Sequence, residues 1–180
     1  MRLDPIQIVP YDPQWPSSFD EERIPLEAAL ASAKSASIEH IGSTAVPGCC
    51  AKPIIDMLAV VSDIELVEPE ALTRAGWLLV PEPGDQEERR LSFCRPSEEL
   101  RTHHLHVVEE RSSSWRDWIA FRDCLRTNPE MASQYGKLKR RLASAHGSDP
   151  NDRSAYRAGK TVFVRTALRT SRRSELSGGT

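Results

Sequence analysis

One stretch, Ser37–Val61 (SIEHIGSTAVPGCCAKPIIDMLAVV), constrains the fold of this chain more than any other. It opens on a short apolar run, breaks at Gly42-Ser43, passes a Pro/Gly-marked turn, and re-enters a longer apolar run. That second run carries a single acid, Asp56. Near-continuous apolar character over Pro53–Ser62 predicts a strand buried on both faces, hence in the interior of a sheet. A carboxylate in such a strand costs several kcal/mol unless it is paired or bound to a metal. Asp56 is therefore either a ligand or catalytic group, or one half of an ion pair with Lys52 or an arginine. Gly42-Ser43 leaves the preceding strand with a residue lacking a side chain, then a hydroxyl and several backbone N–H groups. Such a turn suits phosphate oxygens. With Lys52 close by in sequence, this turn and Asp56 form a candidate phosphate-binding cradle.

The flanking segments extend the sheet and then leave it. Ile6, Ile8 and Val9 predict an edge strand, and Ser17 or Ser18 a helix cap, with a kink or restart at Pro25. Ser37–Ile41 predicts a strand, and Gly42–Lys52 a loop or short helical turn. Asp63–Ala75 predicts a helix capped by Asp63 and stopped by Gly76, Gly76–Val80 a strand, and PEPGDQEER an acidic surface loop. Leu91–Arg95 and Thr102–Glu109 predict a hairpin around PSEEL. From Ser114 the apolar spacing turns helical. It predicts helices over SWRDWIAFRDCLRTN, over Pro129–Ala145, and over Asp149–Leu168 capped by Asp149 or Asn151, before a disordered tail (171–180). The fold class is α+β: a mixed β-sheet of four to six strands in residues 1–110, then a C-terminal helical part (111–170), together one domain.

Charge follows the same division. Residues 1–110 hold 9 lysines and arginines against 20 acids, and residues 111–173 hold 15 against 5, although the whole chain has a formal net charge of only −2. A cleft between the halves would have a basic wall facing an acidic one, suited to phosphate with a divalent cation; the other reading is a solvated basic helix face. Hydrophobic residues at 39% and charged residues at 28% fit a soluble globular chain. No apolar run reaches the roughly 20 residues of a membrane helix, and the N-terminus lacks a signal-peptide pattern, so a cytoplasmic location is expected and a membrane is not. Cys49, Cys50, Cys94 and Cys124 show no zinc spacing and are expected to be reduced residues in or near the core.

Two further clusters carry chemistry. His103, His104 and His106 fall within four residues of a chain that has five histidines in all. On a strand, His104 and His106 share a face; they could bind a divalent ion, act as acid and base, touch phosphate, or form a polar solvent face. His40 could join them if the strands are neighbours. Arg153, Tyr156 and Lys160 fall at i, i+3 and i+7, one helical face, where two cations around a phenol suit phosphates with a base or sugar; ordinary amphipathic exposure is the alternative. Aromatics are not interleaved with basic residues, so nucleic acid is not the expected partner.

IEHIGSTAVPG followed by AKPIIDM, then HHLHVV, then AYRAGKTVFV resembles the GrpB (UPF0157) family from PYDPQWP to about residue 165. That family is similar to the nucleotidyltransferase superfamily, and a related domain is fused to dephospho-CoA kinase in some bacteria. The resemblance implies that Gly42 and Ser43 match the superfamily's GS turn and Asp56 the first acid of its DxD pair. Leu58 stands where the second acid belongs, and His104 or His106 where the third does. The implied function is a nucleotidyltransferase-like protein binding a nucleotide or other small phosphate-containing ligand in a cleft between sheet and helices. Asp56, His104 and His106 would then hold a divalent ion (Mg, Mn or Zn) and act as catalytic residues. Gly42, Ser43, Lys52, Arg153, Tyr156 and Lys160 would bind the phosphate compound. The alternative is a non-catalytic phosphate-binding module that lacks the second carboxylate. Neither substrate nor oligomeric state follows from the residues.

Overall fold

A computed structural model describes residues 6–112, 114–147 and 153–177. Helix α1 (Trp15–Ala29) follows Gln14 at its N-cap and carries Pro16 in its first turn, where a missing N–H costs nothing, so Ser17 and Ser18 lie inside the helix and not at its cap. It runs unbroken through Pro25 and lays Trp15 and Leu26 against the sheet. Strand β1 (Ser35–Ile41) leads into a 3₁₀ turn (Ser43–Ala45), then β2 (Ile55–Val61). Where one continuous helix was expected after Asp63, there is a 3₁₀ turn (Ile64–Leu66), a break, and α2 (Pro69–Arg74). Asp63 does cap the first piece, accepting from the Glu65 N–H at 3.0 Å. Pro69 explains the break, because a residue before proline is pushed to extended backbone, as Glu68 is (φ −96°, ψ 99°).

β3 (Leu78–Leu79), β4 (Arg90–Pro96) and β5 (Arg101–Glu109) complete a five-stranded mixed sheet of order β1-β2-β5-β4-β3. β2 pairs parallel with β5 and antiparallel with β1, and β4 pairs antiparallel with β5 as the expected hairpin. The expected N-terminal edge strand reduces to one bridge, Val9 with Ala51. The acidic loop before β4 is not wholly at the surface: Asp85 is buried, accepting from Arg90 Nε at 2.6 Å and Ser92 Oγ at 3.0 Å.

α3 (Ser114–Thr127) and α4 (Pro129–His146) follow, with Asn128 capping α4 through the Met131 N–H at 2.9 Å. The last expected helix is two, α5 (Arg153–Ala158) and α6 (Thr161–Ser177), divided at Gly159-Lys160. Gly159 lies against the Leu142 side chain, which would have to shift to admit a Cβ there. The proposed caps Asp149 and Asn151 lie outside the described residues, as do 178–180, but the segment expected to be a disordered tail is helical to Ser177.

Two cores sit on opposite faces of the sheet. Met57, Ala59, Leu105, Val107 and Phe93 pack with α1, Leu72 and Trp77 on one side. On the other, Ile41, Leu58, Val60 and Val108 pack under Trp115, Trp118 and Ile119 of α3. The helical half is tied across by Arg122, which donates to Glu39 at 2.7 Å and to the His40 carbonyl at 3.0 Å. Cys49, Cys50 and Cys94 are buried, Cys124 is half-buried, and all four are free thiols. No helix among the described residues is long and apolar enough to cross a membrane.

Candidate functional site

At the end of β1 the chain must turn sharply beside the Asp56 carboxylate. Gly42 does this with φ 73° and ψ −170°, a conformation essentially restricted to glycine. A Cβ there would also overlap Asp56 Oδ2 and lie 3.1 Å from Asp56 Cβ and Cγ. Gly42 is thus the space in which the carboxylate sits, not a wall of the cavity beyond it.

The turn that follows is held from beneath. Thr44 Oγ1 donates to the Ile54 carbonyl at 3.2 Å and lies 3.0 Å from His40 Nε2. A hydroxyl has one proton, so Nε2 of His40 carries the hydrogen that Thr44 accepts. His40 also stacks on Phe19 with centroids 4.9 Å apart, and burial lowers its pKa to about 4. It is a neutral structural histidine and does not join the other histidines.

Asp56 faces His104 across the parallel β2–β5 pair, with His104 Nδ1 2.9 Å from Asp56 Oδ1. Burial pushes the Asp56 carboxyl up, but the His104 hydrogen bond and charge, with His106 and Lys52, outweigh it and hold the pKa at about 2. An ionised carboxylate only accepts, so Nδ1 of His104 carries a proton. The other ring nitrogen, Nε2, is buried and has no hydrogen-bond partner among the described residues.

These groups open on a cavity of about 210 Å³ between sheet and helices. The sheet side supplies Ser43, Thr44, Lys52, Asp56 and His104; the helical side supplies Tyr135 and Lys139 of α4, and Arg153, Tyr156, Arg157 and Lys160 around α5. The lining includes Ser43, Lys52, Asp56, His104, Arg153, Tyr156 and Lys160, with Lys160 in the turn after α5 and not on one helix with Arg153. Among the described residues the lining shows no acidic wall: Asp56 is its single carboxylate, beside three lysines and two arginines.

Tyr135, Lys139, Thr44 and Arg157 were not singled out from the sequence. Tyr135 reads there as one more member of the α4 apolar stripe, yet its hydroxyl is a hydrogen-bond partner of Ser43 and burial drives its pKa upward. Lys139, one turn later, is buried, donates to the Cys50 carbonyl, and lies 4.7 Å from the Tyr135 ring centroid. A lysine four residues after a stripe tyrosine was the available signal. Lys160 Nζ sits 4.6 Å from the Tyr156 ring centroid, and burial, opposed by the Asp56 charge, lowers its pKa to about 8. Arg157 reaches Glu82 at 3.3 Å.

His106 departs from expectation. Although it shares a face with His104, its Nδ1 is 3.3 Å from Ser92 Oγ and its ring meets Trp118 at 5.2 Å, away from the cavity. Burial lowers its pKa to about 4. Leu58, in register with it, has 0 % exposure under α3. Among the described residues no three His, Cys, Asp or Glu come together as a metal-holding group. Asp56 and His104 remain, with one carboxylate oxygen already engaged by the imidazole. This donor set does not fit the three-ligand divalent site expected from the sequence.

The profile of the family described as GrpB protein matches residues 5–170. The chain belongs to the GrpB family. YqkA, a UPF0157 protein of Bacillus subtilis, is 34% identical over 170 residues, covering 93% of this chain but 48% of YqkA, so the chain spans about half the length of that relative. The glutamate-rich protein GrpB of Alkalihalophilus pseudofirmus is 35% identical over 161 residues, 87% of this chain and 90% of its own. The crystal structure of the conserved protein GrpB from Enterococcus faecalis superposes with a TM-score of 0.81 at 32% identity, over 94% of this chain and 99% of that one. The α+β fold with its five-stranded mixed sheet is thus that of a solved GrpB protein.

Proposed function

We propose that this GrpB chain binds a nucleotide or other small phosphate compound in the cleft between β2, β5 and the α4–α5 helices. The observation that carries the reading is the cavity lining, where Lys52, Lys139, Lys160, Arg153 and Arg157 and the hydroxyls of Ser43, Tyr135 and Tyr156 accompany, among the described residues, one carboxylate. Ammonium groups and hydroxyls are the partners that phosphate oxygens take. Size refines it: pockets that enclose a whole drug-sized ligand run to about 300–1,000 Å³. A cavity of about 210 Å³ suits the phosphate end of a ligand, with any base or sugar towards the open rim.

Leu58 favours binding without two-metal nucleotidyl transfer. That reaction rests on carboxylates bridging two ions, and the position of the second carboxylate is packed beneath Trp115, Trp118 and Ile119. Titration calorimetry with a panel of nucleotides and inorganic phosphates, run beside a turnover assay, tests both parts. Binding with no product formed is the expected result. Turnover would overturn the non-catalytic reading, and absence of binding to every member of the panel would overturn the whole proposal.

A further inference from the structure

We infer that the cleft takes its phosphate compound without a divalent cation, with Lys52, Lys160 and His104 supplying the positive charge and hydrogen bonds that a metal supplies elsewhere. The inference rests on the phosphate-binding reading and specifies the form of its ligand.

The donor geometry comes first. A metal-bridged phosphate needs carboxylate oxygens free to coordinate, usually from more than one acid. Here Asp56 Oδ1 is engaged by His104 Nδ1 at 2.9 Å, and Oδ2 lies in the space left by the missing Gly42 side chain. The next position on the same face is Leu58, closed over by α3, and His106 turns to Ser92 and Trp118.

Charge points the same way. Among the described residues the lining sets one carboxylate against five cations, so a divalent ion would meet net positive charge there, whereas a metal-free phosphate chain meets mostly charge of the opposite sign. Arg157 is partly neutralised by Glu82 and Lys139 is turned to the Cys50 carbonyl, while Lys160 borders the cavity on the Tyr156 ring and Lys52 lines the sheet side. His104 adds a group that the protein alone leaves unsatisfied. Its buried Nε2 has no partner among the described residues, and a buried polar atom of that kind is costly until something bonds to it. Asp56 acts here through His104: it accepts from Nδ1–H and so fixes the orientation of the ring, and in the imidazolium form Nε2–H can donate to a phosphate oxygen. It is a positioning residue, not a metal ligand.

The test is calorimetry on the full chain, stripped with EDTA, titrated with pyrophosphate and with a nucleoside triphosphate, each in EDTA and again in excess Mg²⁺ or Mn²⁺. Binding in EDTA at least as tight as with either cation is expected. Lys160→Met should weaken it by about ten- to hundredfold, the worth of one charge-assisted hydrogen bond, while Lys160→Arg, which keeps the charge, retains most of it. Binding that requires Mg²⁺ or Mn²⁺ would overturn this inference and leave phosphate binding standing. No binding to either compound under any condition would overturn phosphate binding itself. Unchanged affinity in a folded Lys160→Met would remove the lysine from the account.

Discussion

Asp56 and His104 lie side by side in one row of the sheet, and Leu58 and His106 lie side by side in the row two residues further along, on the same face. The rows have the same strand partners and each contains a histidine. They differ in what the helical half lays over them. α4 and the α5 turn leave a cavity above the first row, bordered by Tyr135 and Lys160, whereas α3 sets Trp118 on the second. Residue type on the strand is therefore a weaker determinant of function than the helix that covers it. The histidine against Trp118 packs into the sheet–helix interface, and the one bonded to the half-buried Asp56 carboxylate borders the basic cavity.

The largest effect should come from forcing the second row to resemble the first. Leu58→Asp gives this row a carboxylate as well, but buries it among Ile41, Val60, Val108 and the α3 aromatics. It should cost more than about 4 kcal/mol in denaturant unfolding, against about 1–2 kcal/mol for Asp56→Asn, which leaves a polar, cavity-facing group in place. Gly42→Ala comes next. Its glycine-only backbone and its overlap with the Asp56 carboxylate should cost about 2–3 kcal/mol and weaken phosphate affinity with it, read by thermal melts and calorimetry on the same sample.

A smaller effect sharpens the first row alone. Lys160, facing Asp56, Lys139, Arg157 and the Tyr156 ring, has a pKa lowered to about 8. Its ammonium is present below that pH and lost above it, so affinity for pyrophosphate should fall as pH rises from 7 to 9. Lys160→Arg should remove the step, because a guanidinium stays charged throughout. The smallest effect belongs to the second row: His106→Gln should change phosphate affinity by less than about threefold, while His104→Ala, removing the Asp56-bonded ring, should lose about tenfold. Equal losses in the two variants would erase the distinction between the rows.

Much of this was legible in the chain itself, and the limits have a physical cause. Ser43, Asp56 and His104 could be read because each breaks a local pattern: a turn after a strand, an acid in an apolar run, histidines on alternating positions. His106 satisfied the same alternation, yet Trp118, which decides its environment, lies on a separate helix and reaches it only through tertiary packing. Tyr135 and Lys139 failed for the opposite reason, since a tyrosine in a helical apolar stripe looks like core until the sheet is placed beneath it. The charge division of the chain suggested an acidic wall, but acids of the sheet half are drawn into ion pairs, Glu39 with Arg122 and Glu82 with Arg101 and the lining residue Arg157. Lys160 reached the cavity by a different route, through a turn at Gly159 and not along one continuous helix.

The central claim is that the basic cavity above the first row is where phosphate binds. A crystal structure of the chain soaked with pyrophosphate tests it most directly. The account predicts phosphate oxygens bonded to Lys160 and Ser43, with His104 Nε2 gaining its missing partner. Pyrophosphate bound outside this cavity, on the exposed cations of α6 or over Trp118, with the cavity unaltered, would contradict it.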